Sequence, residues 1–329
     1  MPESEEPRGL DFRRSRLVKG HGLVVSLPLA ERLRAARRIP QAVVKITSFA
    51  HGAKKIRELM KYISRDGNLE LESEGGETIN NLEQQREVVA KWSDHFDKEP
   101  RSRDAVHIVF SMPRGSDPEA LRKSVRKVLK RHFAGHEAVW GIHTDQPHPH
   151  AHVILVMRAR NKGKKLELKK QDLYRLREVF AEAAREEGVE MAVSPRAARG
   201  VGKKARRGVL LRLKQRGLVP RAEKETAREV LDSVQKGDLR EKPWEAAMRL
   251  RHERERKAYR QEAERLRAAA LANIREREAL LKAAADLEQF SDSLPAPKSL
   301  RQTMMEQLGA ATKKDPSISS GRSETEHDR

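Results

Sequence analysis

The sequence has no cysteine in its 329 residues. That excludes a disulfide framework, a zinc ribbon and thiol catalysis. Aromatic side chains are scarce: three Trp, three Tyr and seven Phe, 4% of the chain. So few large apolar groups argue against one core spanning the whole length. They point to one compact domain with basic, helical or disordered flanks. No apolar run approaches the ~20 residues of a membrane span, so no membrane insertion is expected. The opening MPESEEPRGL lacks the charged-then-apolar pattern of a secretory leader, and none is expected. Acids are outnumbered, with Lys+Arg 69 against Asp+Glu 49 and a net charge of +20. A surplus of that size points to a polyanionic partner, nucleic acid above all.

The chain divides by composition. Residues 1–40 form a basic leader, with nine Lys/Arg against two acids between Arg8 and Arg38. Within it, residues 29–38 can form a short helix ended by Pro40. Residues 41–193 read as the globular domain. Strands are expected at 43–47, 105–112, 137–144 and 150–158, and helices at 53–64, 81–95, 119–133 and 171–187. The polar stretch around Gly75 and Gly76 carries no periodic signal. The run VILVM in the last strand is apolar on both faces, which predicts a central position in the sheet. Residues 194–222 form a basic segment, with ten Lys/Arg and no acid between 194 and 221. Residues 223–290 are a charged helical region without a clean heptad. Residues 291–329 read as a mostly disordered tail with a short helix at 299–308.

Four of the 12 histidines fall in HTDQPHPHAH at 143–152. His150 and His152 stand at i and i+2, which in a strand points both imidazoles to one face. His143 ends the preceding strand and can meet them from next door. Three imidazoles without a fourth protein ligand describe an open metal site. Asp145 can orient an imidazole or take a proton. The bland alternative is an incidental His pair capping a loop. His148, between two prolines, reads as a loop residue. Tyr62 lies late in the 53–64 helix, whose apolar stripe is Ile56, Leu59, Met60 and Ile63. On its own it is a boundary aromatic. Beside a Lewis-acidic metal, its phenol is suited to attack a phosphodiester. Arg65 follows in the same turn and can contact a phosphate.

Three blocks carry a resemblance. ELMKYISRDGNLEL around Tyr62, HIVFSMP at 107–113 and HTDQPHPHAHVIL at 143–155 together resemble the relaxases of conjugative and mobilisable plasmids. The likeness is to the MOBP type, which includes the Agrobacterium T-DNA border endonuclease. It extends over about residues 42–210. It implies an α+β fold, a small antiparallel sheet with helices of the HUH-endonuclease-like relaxase kind, followed here by a basic helical extension. It implies a metal-dependent, site- and strand-specific single-strand endonuclease acting as a transesterase. Tyr62 would attack at a plasmid origin of transfer, form a 5′-phosphotyrosyl link and lead the strand in conjugative mobilisation. His143, His150 and His152 match the metal site, Asp145 the acid beside it, and Ser111 a serine that contacts DNA near the nick. The cofactor implied is divalent, Mg or Mn, although imidazole ligands also suit Zn and similar ions. Partners implied are single-stranded and supercoiled plasmid DNA at the origin, accessory relaxosome proteins and a type IV secretion coupling protein. The location implied is the bacterial cytoplasm, with export alongside the transferred strand. Related sequences often carry Asn at the position of Val156, a departure. Arg206, Arg207, Arg212 and Lys214 are expected to bind DNA phosphates. Two alternatives stand: a rolling-circle-type replication initiator or transposase with the same chemistry, and a non-catalytic DNA-binding mobilisation accessory protein.

Overall fold

A computed structural model of the chain describes residues 27–96, 102–160, 165–195, 197–199, 212–213 and 215–314. The chain divides into two compact units, one over residues 28–194 and one from residue 195 onward. The first is α+β. Its elements are α1 (Leu29–Ala36), β1 (Val43–Ala50), α2 (Gly52–Ile63), β2 (Leu71–Ser73), β3 (Thr78–Ile79), α3 (Leu82–Trp92), β4 (Ala105–Ser111), α4 (Pro118–His132), β5 (Ala138–His143), β6 (His150–Val156) and α5 (Lys170–Glu186). The strands form one open antiparallel sheet in the order β1-β4-β6-β5-β2-β3. β6 is internal, as its two-sided apolar run predicts. The short β2–β3 hairpin was not expected. Its strands are three and two residues long, too short to show an alternating pattern.

Side chains alternate across the sheet. One face of β4 and β6 presents Val106, Ile108, Phe110, Val153 and Leu155 to Leu121, Val125 and Phe180 of α4 and α5. The opposite face splits along the strands. At one end Ala105, Val139, Ile154 and Val156 pack under Ile56, Met60, Ile63, Val89 and Trp92 of α2 and α3. At the other end the same face carries His107, Ser111, His143, His150 and His152. Cross-strand pairing aligns Val43, Ser111, His150 and His143 in one row. Lys45, Val109, His152 and Gly141 form the next row, and Ser48, His107, Ile154 and Val139 the one after. Val156, at the departure noted above, is a buried core residue.

β1 carries a bulge between Ile46 and Ser48. The extra residue, Thr47, donates its hydroxyl proton to the His107 carbonyl at 3.1 Å. A bulge of this kind re-aims neighbouring side chains. α2 ends at Ser64, followed by Arg65 (φ 51°), Asp66 (φ 61°) and Gly67 (φ 89°), all left-handed. Two of these are not glycine, and each carries a backbone cost.

Four cations of α4 are paired within the unit. Arg122 and Arg126 pair with the buried Glu72. Lys127 and Arg131 pair with Glu186. The second unit is helical: α6 (Arg221–Gln235), α7 (Pro243–Ala272), α8 (Arg277–Ser293) and α9 (Leu300–Lys314). α7 and α8 pack together, with Ala263, Ala270, Ala283 and Ala284 buried and the Tyr259 and Phe290 rings edge-on at 5.1 Å. α9 is anchored by the buried Arg301–Glu245 pair at 3.0 Å. Among the described residues no helix is long and apolar enough to cross a membrane.

Gly141 links this fold to the histidine end of the face. A Cβ there would lie 2.8 Å from the Leu71 side chain and 3.3 Å from the Ile63 carbonyl oxygen. Its absence lets the end of α2 settle onto the sheet. Gly141→Ala is expected to lower stability by about 1–3 kcal/mol, the usual range for overpacking. Urea unfolding reads this directly. An unchanged midpoint and slope would mean that α2 is not pressed against β5.

Candidate active site

The site sits where the end of α2 meets the ends of β5 and β6. His143 is the last residue of β5 and His150 the first of β6, and they are direct cross-strand partners. His152 lies two residues further along β6 on the same face. One ring nitrogen from each of the three lies within 4.8 Å of the others. Sequence spacing brings together the three residues it named.

The other nitrogen of each ring is engaged. His143 donates from Nε2 to the Ile63 carbonyl at 2.8 Å. His150 donates from Nδ1 to the His148 carbonyl at 3.1 Å. His152 Nδ1 lies 2.8 Å from His107 Nε2. That leaves Nδ1 of His143, which Arg65 Nη2 approaches at 3.3 Å, and Nε2 of His150 and His152 as the remaining ring nitrogens. A hydrogen bond on the outer nitrogen fixes tautomer and ring orientation. Burial pushes the His152 ring down to about 3, with His143, His107 and His150 adding to the effect. Burial likewise pushes His107 down to about 4, with His143 adding. His143 is lowered too, again chiefly by burial. A neutral imidazole whose outer nitrogen carries the hydrogen offers its other nitrogen to a metal without releasing a proton. Three clustered imidazoles with no fourth residue among the described ones suit a divalent ion with open positions.

Tyr62 stands in the last turn of α2, off the buried side formed by Ile56, Met60 and Ile63. It is 62% exposed. Its ring meets His152 edge-on at 5.8 Å and His107 at 6.3 Å. The phenol therefore rises beside the histidine cluster instead of packing in the core. The other two tyrosines are occupied. Tyr174 donates to the Val193 carbonyl at 3.1 Å, and burial pushes its phenol up to about 12. Tyr259 is fully buried and donates to the Ala198 carbonyl at 2.6 Å.

Arg65 reaches across from the left-handed turn. Its Nη2 lies 2.7 Å from Asp145 Oδ2 and 3.3 Å from His143 Nδ1. Asp145 is exposed, and the Arg65 guanidinium holds its carboxyl below the usual range. Asp145 thus reaches His143 through Arg65. Ser111 ends β4 on the histidine face, opposite His150. His148 is an exposed loop residue. Arg206, Arg207 and Lys214 lie outside the described residues, and Arg212 is exposed in a short helical turn.

His107 was not among the sequence candidates for the site. Its signal was available, since His107 and Ser111 stand at i and i+4 in a strand and so share a face. The apolar neighbours Val106, Ile108 and Phe110 lie on the other face.

A known family matches part of the chain. Residues 62–189 fit the family model of the relaxase MobA/VirD2-like nuclease domain. The matched stretch begins at Tyr62 and contains His107, Ser111 and all three clustered histidines. No curated protein matches the chain.

The lowered histidine values set a pH dependence. In the unfolded chain an imidazole takes its proton at about 6.5. His107 and His152 in the folded protein hold out to about 4 and about 3. Between those values the unfolded state binds more protons, so stability falls as pH falls from 6.5 toward 4. In metal-free protein, urea midpoints are expected to drop across that window, and the NMR ring signals of His107 and His152 to stay neutral at pH 5.5. Charged rings at pH 5.5 would contradict the burial argument.

Proposed function

We propose, from the match of residues 62–189 to a relaxase nuclease-domain model, that the protein cleaves one strand at an origin of transfer by tyrosine transesterification. The observation that carries this reading is the exposed Tyr62 ring, 5.8 Å from His152 and beside the three-histidine cluster. Tyr62 Oη attacks the scissile phosphorus. The Oη–P bond forms, the P–O3′ bond breaks, and the phenolic proton is lost while the departing 3′ oxygen gains one. The products are a 5′-phosphotyrosyl link and a free 3′-OH. The link keeps the phosphodiester energy for later rejoining.

His143, His150 and His152 would hold a divalent ion. Such an ion supplies Lewis acidity at a non-bridging phosphate oxygen and offsets the charge that develops there. The family likeness favours Mg or Mn, and the imidazole set also accommodates Zn. Arg65 offers a guanidinium to the phosphate, and Asp145 holds it beside the site. Ser111 contacts the strand near the nick from the same sheet face. The division proposed is residues 1–40 as leader, 41–193 as nicking domain, 194–222 as DNA-binding segment, 223–290 as helical region and 291–329 as tail. Accessory origin-binding proteins, a type IV coupling protein and a cytoplasmic location complete the proposal.

Mixing the protein with supercoiled origin DNA and Mn²⁺ tests it. Wild type is expected to give nicked circles with protein on the 5′ end. Tyr62→Phe is expected to lose at least about 10³ of that rate, the scale of losing an activated nucleophile. A nick that survives in Tyr62→Phe means another nucleophile, and binding without any nick favours a non-catalytic accessory protein. For the basic segment, neutralising Arg206, Arg207, Arg212 and Lys214 together is expected to flatten the salt dependence of single-strand binding by up to about 3 log units per log salt, at ~0.7 per phosphate contact. An unchanged slope removes the segment from the DNA interface.

A further inference from the structure

The three clustered histidines do not have equivalent outer partners. His143 and His150 each donate to a backbone carbonyl, which can only accept. His152 instead meets another imidazole, His107, at 2.8 Å. A neutral imidazole has one N–H and one bare nitrogen, so this contact can carry its proton in two ways. If His107 donates, His152 Nδ1 accepts and its Nε2 carries the hydrogen, pointing N–H into the cluster. If His152 donates, its Nε2 is bare and faces His143 Nδ1 and His150 Nε2. Only the second arrangement allows His152 to act as a ligand.

We propose that His107 is a positioning residue for His152, accepting its Nδ1 proton at Nε2 and so keeping His152 Nε2 bare and aimed into the cluster. This rests on the reading of His152 as a metal ligand given above. Several features make His107 rigid enough for the task. It is 4% exposed in the middle of β4. Its ring stacks on His152 with centroids 5.0 Å apart and planes 29° from parallel. Its carbonyl is held by the Thr47 hydroxyl at the β1 bulge. Asp145, the acid beside the site, is engaged with Arg65. The Tyr62 ring stands edge-on to both histidines, so the pair that sets the ligand also forms the surface under the phenol.

The test uses metal-free, full-length protein and Mn²⁺ alone as probe. In wild type, ¹⁵N NMR is expected to find the hydrogen on Nδ1 of both His152 and His107. Hydrogen on Nε2 of His152 would overturn the proposal without any variant. By calorimetry, His107→Ala is expected to weaken Mn²⁺ binding about 10–100-fold, the usual effect of removing a ligand's hydrogen-bond partner. His107→Gln, whose carbonyl oxygen lies near the position of Nε2 and accepts a proton, is expected to recover most of that loss. Wild-type affinity in His107→Ala would overturn the proposal, as would failure of Gln to rescue while its urea midpoint matches wild type. His152→Ala separates the two claims. If it loses Mn²⁺ affinity while His107→Ala does not, the positioning role alone falls. If it keeps affinity, the metal reading of His152 falls first.

Discussion

The antiparallel register that sets His143 opposite His150 is the constraint on which the site depends. A strand repeats its facing every two residues, so a slip of one residue between β5 and β6 would turn His150 and His152 to the far face. The register is held on that far face by Trp140, Val153 and Leu155 packing with α4 and α5. The apolar core thus fixes the polar cluster through the pleat of the sheet. The cluster in turn lies at the end of its face that the last turn of α2 reaches.

The second layer of the site is the end of α2. In one turn and its exit it supplies Tyr62, the Ile63 carbonyl that receives the His143 proton, and Arg65. These groups are useful only if the helix end lies close to β5, and Gly141 provides the space. The left-handed residues Arg65 and Asp66 carry a local backbone cost. That turn brings the Arg65 guanidinium to Asp145 and His143. On α4, Arg122 and Arg126 share Glu72, and Lys127 and Arg131 share Glu186, so two carboxylates order four of its cations.

Much of this was legible in the sequence, for definite reasons. The i, i+2 spacing of His150 and His152 and the short link from His143 predict convergence, and the structure brings all three together. The apolar stripe of α2 left Tyr62 at its edge, and the structure exposes it. The β2–β3 hairpin was hidden because five strand residues carry no period. His107 was hidden by its apolar neighbours, although its separation from Ser111 places both on one face. The Arg65–Asp145 pair was hidden because the residues are 80 positions apart and meet only through the left-handed turn.

The central claim is that Tyr62 becomes joined to DNA. Proteolysis of the protein–DNA adduct followed by mass spectrometry identifies the linked residue. The account predicts one nucleotide-bearing peptide, containing Tyr62 and carrying the 5′ phosphate of the nicked strand. An adduct on Tyr174 or Tyr259, or a nick with a free 5′ phosphate and no adduct, would contradict it.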